Sequence, residues 1–394
     1  MDLLCFSHLR WDFVFQRPQH LLTRAAETHR VFFIEEPLHD AGISRMAETD
    51  FDGVTVVTPW VVEIDVPAET AILTSLLAGW MSRRRIVMPI VWYYTPMALP
   101  WSHQVHASAS AVIYDCMDDL SAFDGAPVGM VPLEHKLLAS ADLVFTGGAS
   151  LHEAREQQHR AAHCFPSSVD VAHFAAARGH LKEREDQAAI PRPRVGYFGV
   201  LDERLDWALV AAIAARRPAV HLVLVGPTAK VDPATLPTAP NIHYLGSKAY
   251  AELPAYLSGW DVAMMPFAHN RATRYISPTK TPEYLAGGVP VALTSIRDVV
   301  HPYGDLGLVH VGDGVDGFLG AIDAALSQDR RALAAKADSF LDGRSWASTW
   351  ACMSALIEGV ISDRQQARHA ASVFRPGPRP ALDTPVAAGR GLAE

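Results

Sequence analysis

Ser277-Pro-Thr-Lys-Thr-Pro-Glu-Tyr-Leu-Ala-Gly-Gly-Val-Pro-Val291 is the stretch whose residue types and spacing are best suited to chemistry. Pro278 and Pro282 suit a helix start, where the first backbone N–H groups lack partners and favour an anion. Ser277, Pro278 and Thr279 form the turn, and Lys280 adds a mobile cation, so a diphosphate fits there. Glu283, one turn in, has the acceptor capacity for both hydroxyls of a ribose. Gly287-Gly288 end the helix, and Pro290–Thr294 returns as a buried strand. Together these residues make a clasp for a nucleoside diphosphate that carries a sugar. The competing reading is a plain helix with a capping lysine.

Other candidates sit at predicted strand ends. Gly199-Val-Leu-Asp-Glu-Arg204 follows a strand and opens a helix. A glycine there lets a phosphate approach the backbone, and Arg204 either meets a pyrophosphate or pairs with Asp202 or Glu203 on the surface. Ser7–Gln16 is a long polar and aromatic loop that presents His8 and Asp12, and Pro18 places Arg17 in a first helical turn, where it suits an anionic acceptor group. His20 reads as packing. Asp118, in Tyr114-Asp-Cys-Met-Asp-Asp-Leu120, is the preferred acceptor-side carboxylate, with a helix cap as its alternative. Thr146-Gly-Gly-Ala-Ser150 offers either backbone contacts to a ligand or a tight turn. No metal-ligand spacing appears, and no metal or cofactor is expected.

Parallel sheets must position these residues. Short apolar runs at 2–6, 30–35, 53–58, 86–94, 111–116 and 142–147 alternate with helix-length segments, as in a Rossmann-like domain. A second alternation begins at Arg194 and passes through His221–Gly226, Ile242–Gly246, Asp261–Pro266 and Pro290–Thr294. The expected division is an acceptor domain at 1–180, a polar, proline-punctuated linker near 180–192, and a donor domain at 192–344. An amphipathic helix at 345–362 follows, then a low-complexity tail at 363–394 expected to be disordered. Ligands of such sheets lie beyond the carboxyl ends of the strands, so two facing sheets put the chemistry between them.

The Ser277–Val291 string closely resembles the SP-x-K-x-x-E-Y-[LM]-A-x-G-x-P-V signature of GT-B glycosyltransferases related to family 4. Leu3–Leu22 is similar to the opening of a bacterial group that includes the teichuronic acid enzymes. Ala141-Asp-Leu-Val-Phe-Thr146 followed by Phe165-Pro-Ser-Ser-Val-Asp170 resembles the end of the family's first domain, with Ser167-Ser168 where Asn-Gly is usual. The resemblance implies an α/β GT-B fold whose C-terminal helix crosses back to the first domain. It implies sugar transfer from a UDP- or GDP-linked donor to a cell-surface glycan or lipid-linked acceptor, with retention and without metal. Leu245, Gly246 and Ser247 fall where relatives read the base, and Gly199 and Arg204 match a glycine turn followed by a cation. In a retaining reaction Lys280 and Arg204 stabilise the departing diphosphate, whereas inversion would need Asp118, Asp12 or His8 as base. Eight positions before Glu283 stands Tyr275, where many relatives have a second glutamate; Asn270, Arg271, Thr273 or Arg274 offer replacements. A nucleotide-sugar epimerase and a non-catalytic binding scaffold share this architecture and remain alternatives.

The 394-residue chain is 49% hydrophobic and 20% charged, enough for two cores, and its net charge of −9 argues against nucleic-acid binding. The four cysteines lack C-x-x-C spacing and read as reduced thiols. Neither a leader segment nor an apolar run long enough to span a bilayer is evident, so a cytoplasmic protein is expected. Thr70–Met81, apolar on a wide face and ending at Arg83-Arg-Arg85, suits either a helix covering a sheet or peripheral contact with anionic lipid.

Overall fold

In the computed structural model, which describes residues 1–40, 42–179 and 181–373, the apolar runs become two sheets. The first runs Leu38–His39, Val54–Val61, Arg30–Ile34, Asp2–Phe6, Ile90–Tyr93, Ala111–Cys116, Leu143–Thr146 and Ala162–Cys164. All these neighbours pair in parallel, and Arg45–Phe51 adds an antiparallel edge on Val54–Val61. The second sheet is wholly parallel: Ile242–Tyr244, His221–Val225, Arg194–Phe198, Val262–Met265, Val291–Leu293 and His310–Val311. Helices cover both faces, which is why the central strands read as unbroken apolar runs rather than alternating ones. The two-residue period shows only in where side chains go. Leu4 and Phe6 join Leu73, Leu77 and Trp80 on one face, while Leu3 and Cys5 join Trp346, Met353 and Ile357 on the other.

Three expectations need correction. The first domain does not extend to residue 180, because Val169, Phe174 and Ala177 pack into the core of the second sheet. Nor is the linker simply solvated. Gln187 is wholly buried, donates to the Tyr256 carbonyl at 3.0 Å and accepts from the Trp260 indole at 2.8 Å. The last helix, Trp346–Val373, runs eleven residues past its expected end, so residues 363–373 are not a disordered tail; positions 374–394 lie outside the described residues. Arg364 holds this extension in place, donating to Asp142 at 2.8 Å and to the Ala109 carbonyl at 2.9 Å. Arg364→Ala is therefore expected to cost about 1–3 kcal/mol, the range for hydrogen bonds to charged groups. Urea unfolding measures this, with ending the chain after Val373 as the comparison expected to leave stability unchanged.

The chain passes between the two domains at residues 168–169 and again at 345–346. The passages are tied to each other, since Val169 and Ser345 form a parallel β-bridge and the Ser168 and Thr349 hydroxyls meet at 2.6 Å. The Val66–Arg84 helix spends its apolar face on the first sheet, through Leu73, Leu77 and Trp80, and Arg84 binds Glu48. Among the described residues, no helix is long and apolar enough to cross a membrane.

Candidate active site

Strand Arg194–Phe198 ends at Gly199, whose φ of +147° is open to glycine but strained for other residues. A Cβ there would stand 2.9 Å from Lys280 Cε and 2.7 Å from the Tyr197 hydroxyl. Gly226, at the end of the neighbouring strand, also has a φ of +147°, and a Cβ on it would stand 1.8 Å from the Gly199 carbonyl oxygen. Two bare strand ends thus lie against each other, with the Lys280 side chain laid over one of them.

Lys280 opens the helix Lys280–Ala286 after the Ser277–Thr279 turn. Its ammonium donates to the Thr279 hydroxyl at 3.2 Å and forms no salt bridge among the described residues. Burial lowers its pKa, against the pull of Glu283. Glu283 is only 7% exposed. Burial raises its pKa to about 7 although Lys280 works the other way. No side-chain hydrogen bond engages this carboxylate among the described residues, and it lines a cavity with Gly199, Gly226 and Ser247. Leu245 and Gly246, expected in the same site, do not line it: the Leu245 N–H donates to Leu224 and the Gly246 carbonyl accepts from Gly226. Lys248 is held by Asp186 at 2.7 Å.

Arg204 makes the pairing with Asp202 that one of its two readings expected. Its Nε and Nη2 hold Asp202, the closest contact being 2.6 Å, yet the pair lies within the cleft, where Arg204 lines three adjoining cavities. Asp202 fixes the guanidinium, and Nη1 is left without a hydrogen bond among the described residues.

On the facing domain the expectations separate. Arg17 is not available to an acceptor. It is 3% exposed and grips Asp115, itself fully buried, through Nε at 3.1 Å and Nη2 at 2.9 Å, while Nη1 donates to the Phe165 carbonyl at 2.8 Å. Asp12 is exposed on a turn and lines none of the three cavities. Asp118 lies where two of them meet. Burial lifts its pKa to about 6, against Arg204, Arg17 and Lys280, and no side-chain hydrogen bond holds it among the described residues. His8 lines the outer cavity; burial, followed by Lys230, lowers its pKa to about 4, so it is neutral at pH 7. His20 stacks on Trp346 at 4.7 Å, as packing.

The Thr146–Ser150 turn is resolved by Asp298 of the other domain, which accepts the Ser150 N–H at 3.0 Å and occupies that helix start in place of a ligand. None of residues 269–275, the polar loop before Ser277, lines the three cavities. Asn270 donates to Glu203, Arg271 reaches the Ser121 carbonyl at 3.1 Å, Arg274 lies over the Tyr275 ring, and Tyr275 packs on the first-domain core. Sequence reasoning passed over Gln16, which lines all three cavities from the first domain, and Tyr250, which stacks with Phe15 across the cleft at 4.6 Å. Gln16 carried a usable signal as the residue before the Arg17-Pro18 helix start. It also missed Lys230, which lies 4.7 Å over the Phe123 ring from the opposite domain.

With this geometry in view, the family of glycosyl transferases, group 1, matches residues 192–328, the part of the chain that holds Gly199, Arg204, Lys280 and Glu283. The chain is related to the group 1 glycosyltransferases. A Bacillus subtilis (strain 168) protein, TuaH, named as a glycosyltransferase of teichuronic acid biosynthesis, is 25% identical over 225 residues, covering 52% of this chain. The chain spans 55% of that relative's length. Among solved structures, sucrose-phosphate synthase from Thermosynechococcus elongatus superposes with a TM-score of 0.70 at 15% identity, covering 92% of this chain and 99% of that one. An α,α-trehalose-phosphate synthase (UDP-forming) from Burkholderia vietnamiensis superposes with a TM-score of 0.67 at 13% identity, covering 91% and 98%. These likenesses give the fold: this glycosyltransferase relative has two Rossmann-like domains in the GT-B arrangement.

Proposed function

We propose that the protein is a glycosyltransferase that moves a sugar from a UDP- or GDP-linked donor to a hydroxyl of a cell-surface glycan or lipid-linked acceptor, in the cytoplasm. One observation carries the reading: Lys280, without a salt bridge among the described residues, and the buried carboxylate of Glu283, without a side-chain hydrogen bond among them, converge on one cavity beside the bare backbone of Gly199. Ribose hydroxyls match Glu283. The diphosphate matches Lys280 and the free Nη1 of Arg204. The sugar then points toward Asp118 and Gln16, with the acceptor in the outer cavity.

Retention is the stereochemistry we assign. The leaving diphosphate takes the acceptor proton, and the protein's part is to stabilise charge that grows as the glycosidic bond breaks. Asp118, with a pKa of about 6, is the group placed to serve as base if transfer inverts. NMR of the product's anomeric proton separates the two. The reading uses side-chain cations rather than a metal, so turnover is expected to survive EDTA, and recovery only on adding Mg²⁺ or Mn²⁺ would refute this.

Glu283 supplies the direct test. With its pKa near 7, nucleotide affinity is expected to rise between pH 6 and 8 as the carboxylate ionises and becomes the stronger acceptor. The sign for the empty fold is opposite: a carboxyl pKa raised on folding gives stability that is lost as pH rises from the unfolded value through 7. Glu283→Gln should weaken nucleoside diphosphate binding by about 1–2 kcal/mol, roughly five- to thirty-fold, and flatten the pH profile. Isothermal titration across pH measures both. Donor-hydrolysis assays test the competitors, because slow acceptor-free hydrolysis marks a transferase, sugar isomerisation an epimerase, and neither a scaffold.

A further inference from the structure

A side cavity of about 280 Å³ adjoins the outer cavity of about 470 Å³, and Glu36 lines both. It sits at the carboxyl ends of the first domain's central strands, beneath the first turns of the Val66–Arg84 helix. Its deep wall is apolar, built from Ile34, Leu73, Met97, Ala98 and Trp101. Most of the polar groups around it, Glu36 excepted, are already engaged. The Ser7 hydroxyl accepts the Leu9 N–H at 3.0 Å, and that of Thr95 accepts the Met97 N–H at 3.2 Å. Glu35 takes Arg10, Thr58 and the Trp11 N–H, and His39 meets Glu69 at 3.2 Å. A polar ligand would find few free groups there, and burying it would forfeit its bonds to water. Val66, 75% exposed, forms an apolar lip.

Resting on the transferase reading, we propose that this cavity holds an apolar chain on the acceptor. The acceptor is then an amphiphile: its hydroxyl-bearing head lies in the outer cavity and its hydrocarbon extends past Glu36 under the helix. Glu36 has no hydrogen-bond partner among the described residues and faces the junction as an acceptor for the head's hydroxyls. The volume is adequate, since an apolar cavity of about 150 Å³ admits benzene, and this one is about twice that size.

Isothermal titration of the full chain with uncharged alkyl glucosides, methyl to octyl and below their micelle concentrations, tests the inference. Affinity is expected to climb with chain length, octyl binding at least about tenfold tighter than methyl. Ala98→Trp, which fills the cavity, should abolish the difference. Val66→Glu, on the exposed lip where folding is not at stake, should reduce it severalfold. UDP and GDP thermal shifts should stay parental in both variants. Equal binding of methyl and octyl glucosides by the parent, or a preference that survives both substitutions, overturns the proposal. The titrations contain no nucleotide, so a failed donor reading shows in the thermal shifts and a failed chain-binding reading in the titrations.

Discussion

Lys280→Ala is expected to lower the single-turnover transfer rate by about 100-fold or more while weakening nucleoside diphosphate binding far less. Among the described residues the ammonium's one hydrogen bond is to a neutral hydroxyl at 3.2 Å and no salt bridge holds it, so it can reach an incoming anion. As the glycosidic bond breaks, negative charge accumulates on the diphosphate, and a cation in a partly dewatered cleft gains most at that moment. Burial lowers the lysine's pKa, against the pull of Glu283, and an anion placed beside it favours its charged form. Lys280→Arg, which keeps the charge but not the compact ammonium that lies over Gly199, should recover only part of the rate. Parental turnover in Lys280→Ala would place the diphosphate elsewhere.

Arg17→Ala is expected to be the most damaging substitution for stability, at about 3–5 kcal/mol by urea unfolding, because it strands a fully buried Asp115 carboxylate without its partner. Asp115→Asn alone should be costly for the reciprocal reason. Replacing both residues with leucine should recover much of the loss, since the penalty lies in the orphaned charge. A variant with parental stability and a raised acceptor KM would instead restore Arg17 to the acceptor site.

That contrast shows what the sequence made legible. That Lys280 and Glu283 share one helix start could be read locally, because the Ser277–Thr279 turn and the Lys280–Ala286 helix lie within a few residues of chain. Arg17 and Asp12 were misread because their fate depends on a partner about a hundred residues away, or on which side of a turn faces the cleft. No local pattern encodes that Asp115 lies under Arg17. The sheets were legible for the same reason as the clasp: doubly covered parallel strands are continuous apolar runs. The Arg45–Phe51 edge strand, half exposed and polar, is no apolar run and was not among the expected strands. Gln187 was read as linker because a buried glutamine betrays itself only through Tyr256 and Trp260, far along the chain.

The joined passages between the domains have a mechanical meaning. Two separate tethers would let the halves slide, tilt and twist independently, whereas Val169 bridged to Ser345 and Ser168 bonded to Thr349 form one axle. Any motion about it would be mainly a swing, largest at the rim farthest from the axle and least beside it. The Ser167 hydroxyl meets the Ser277 carbonyl at 2.8 Å close to that axle, so the turn ahead of Lys280 sits where displacement is smallest. A swing between the halves would therefore displace Lys280 less than residues farther from the two passages.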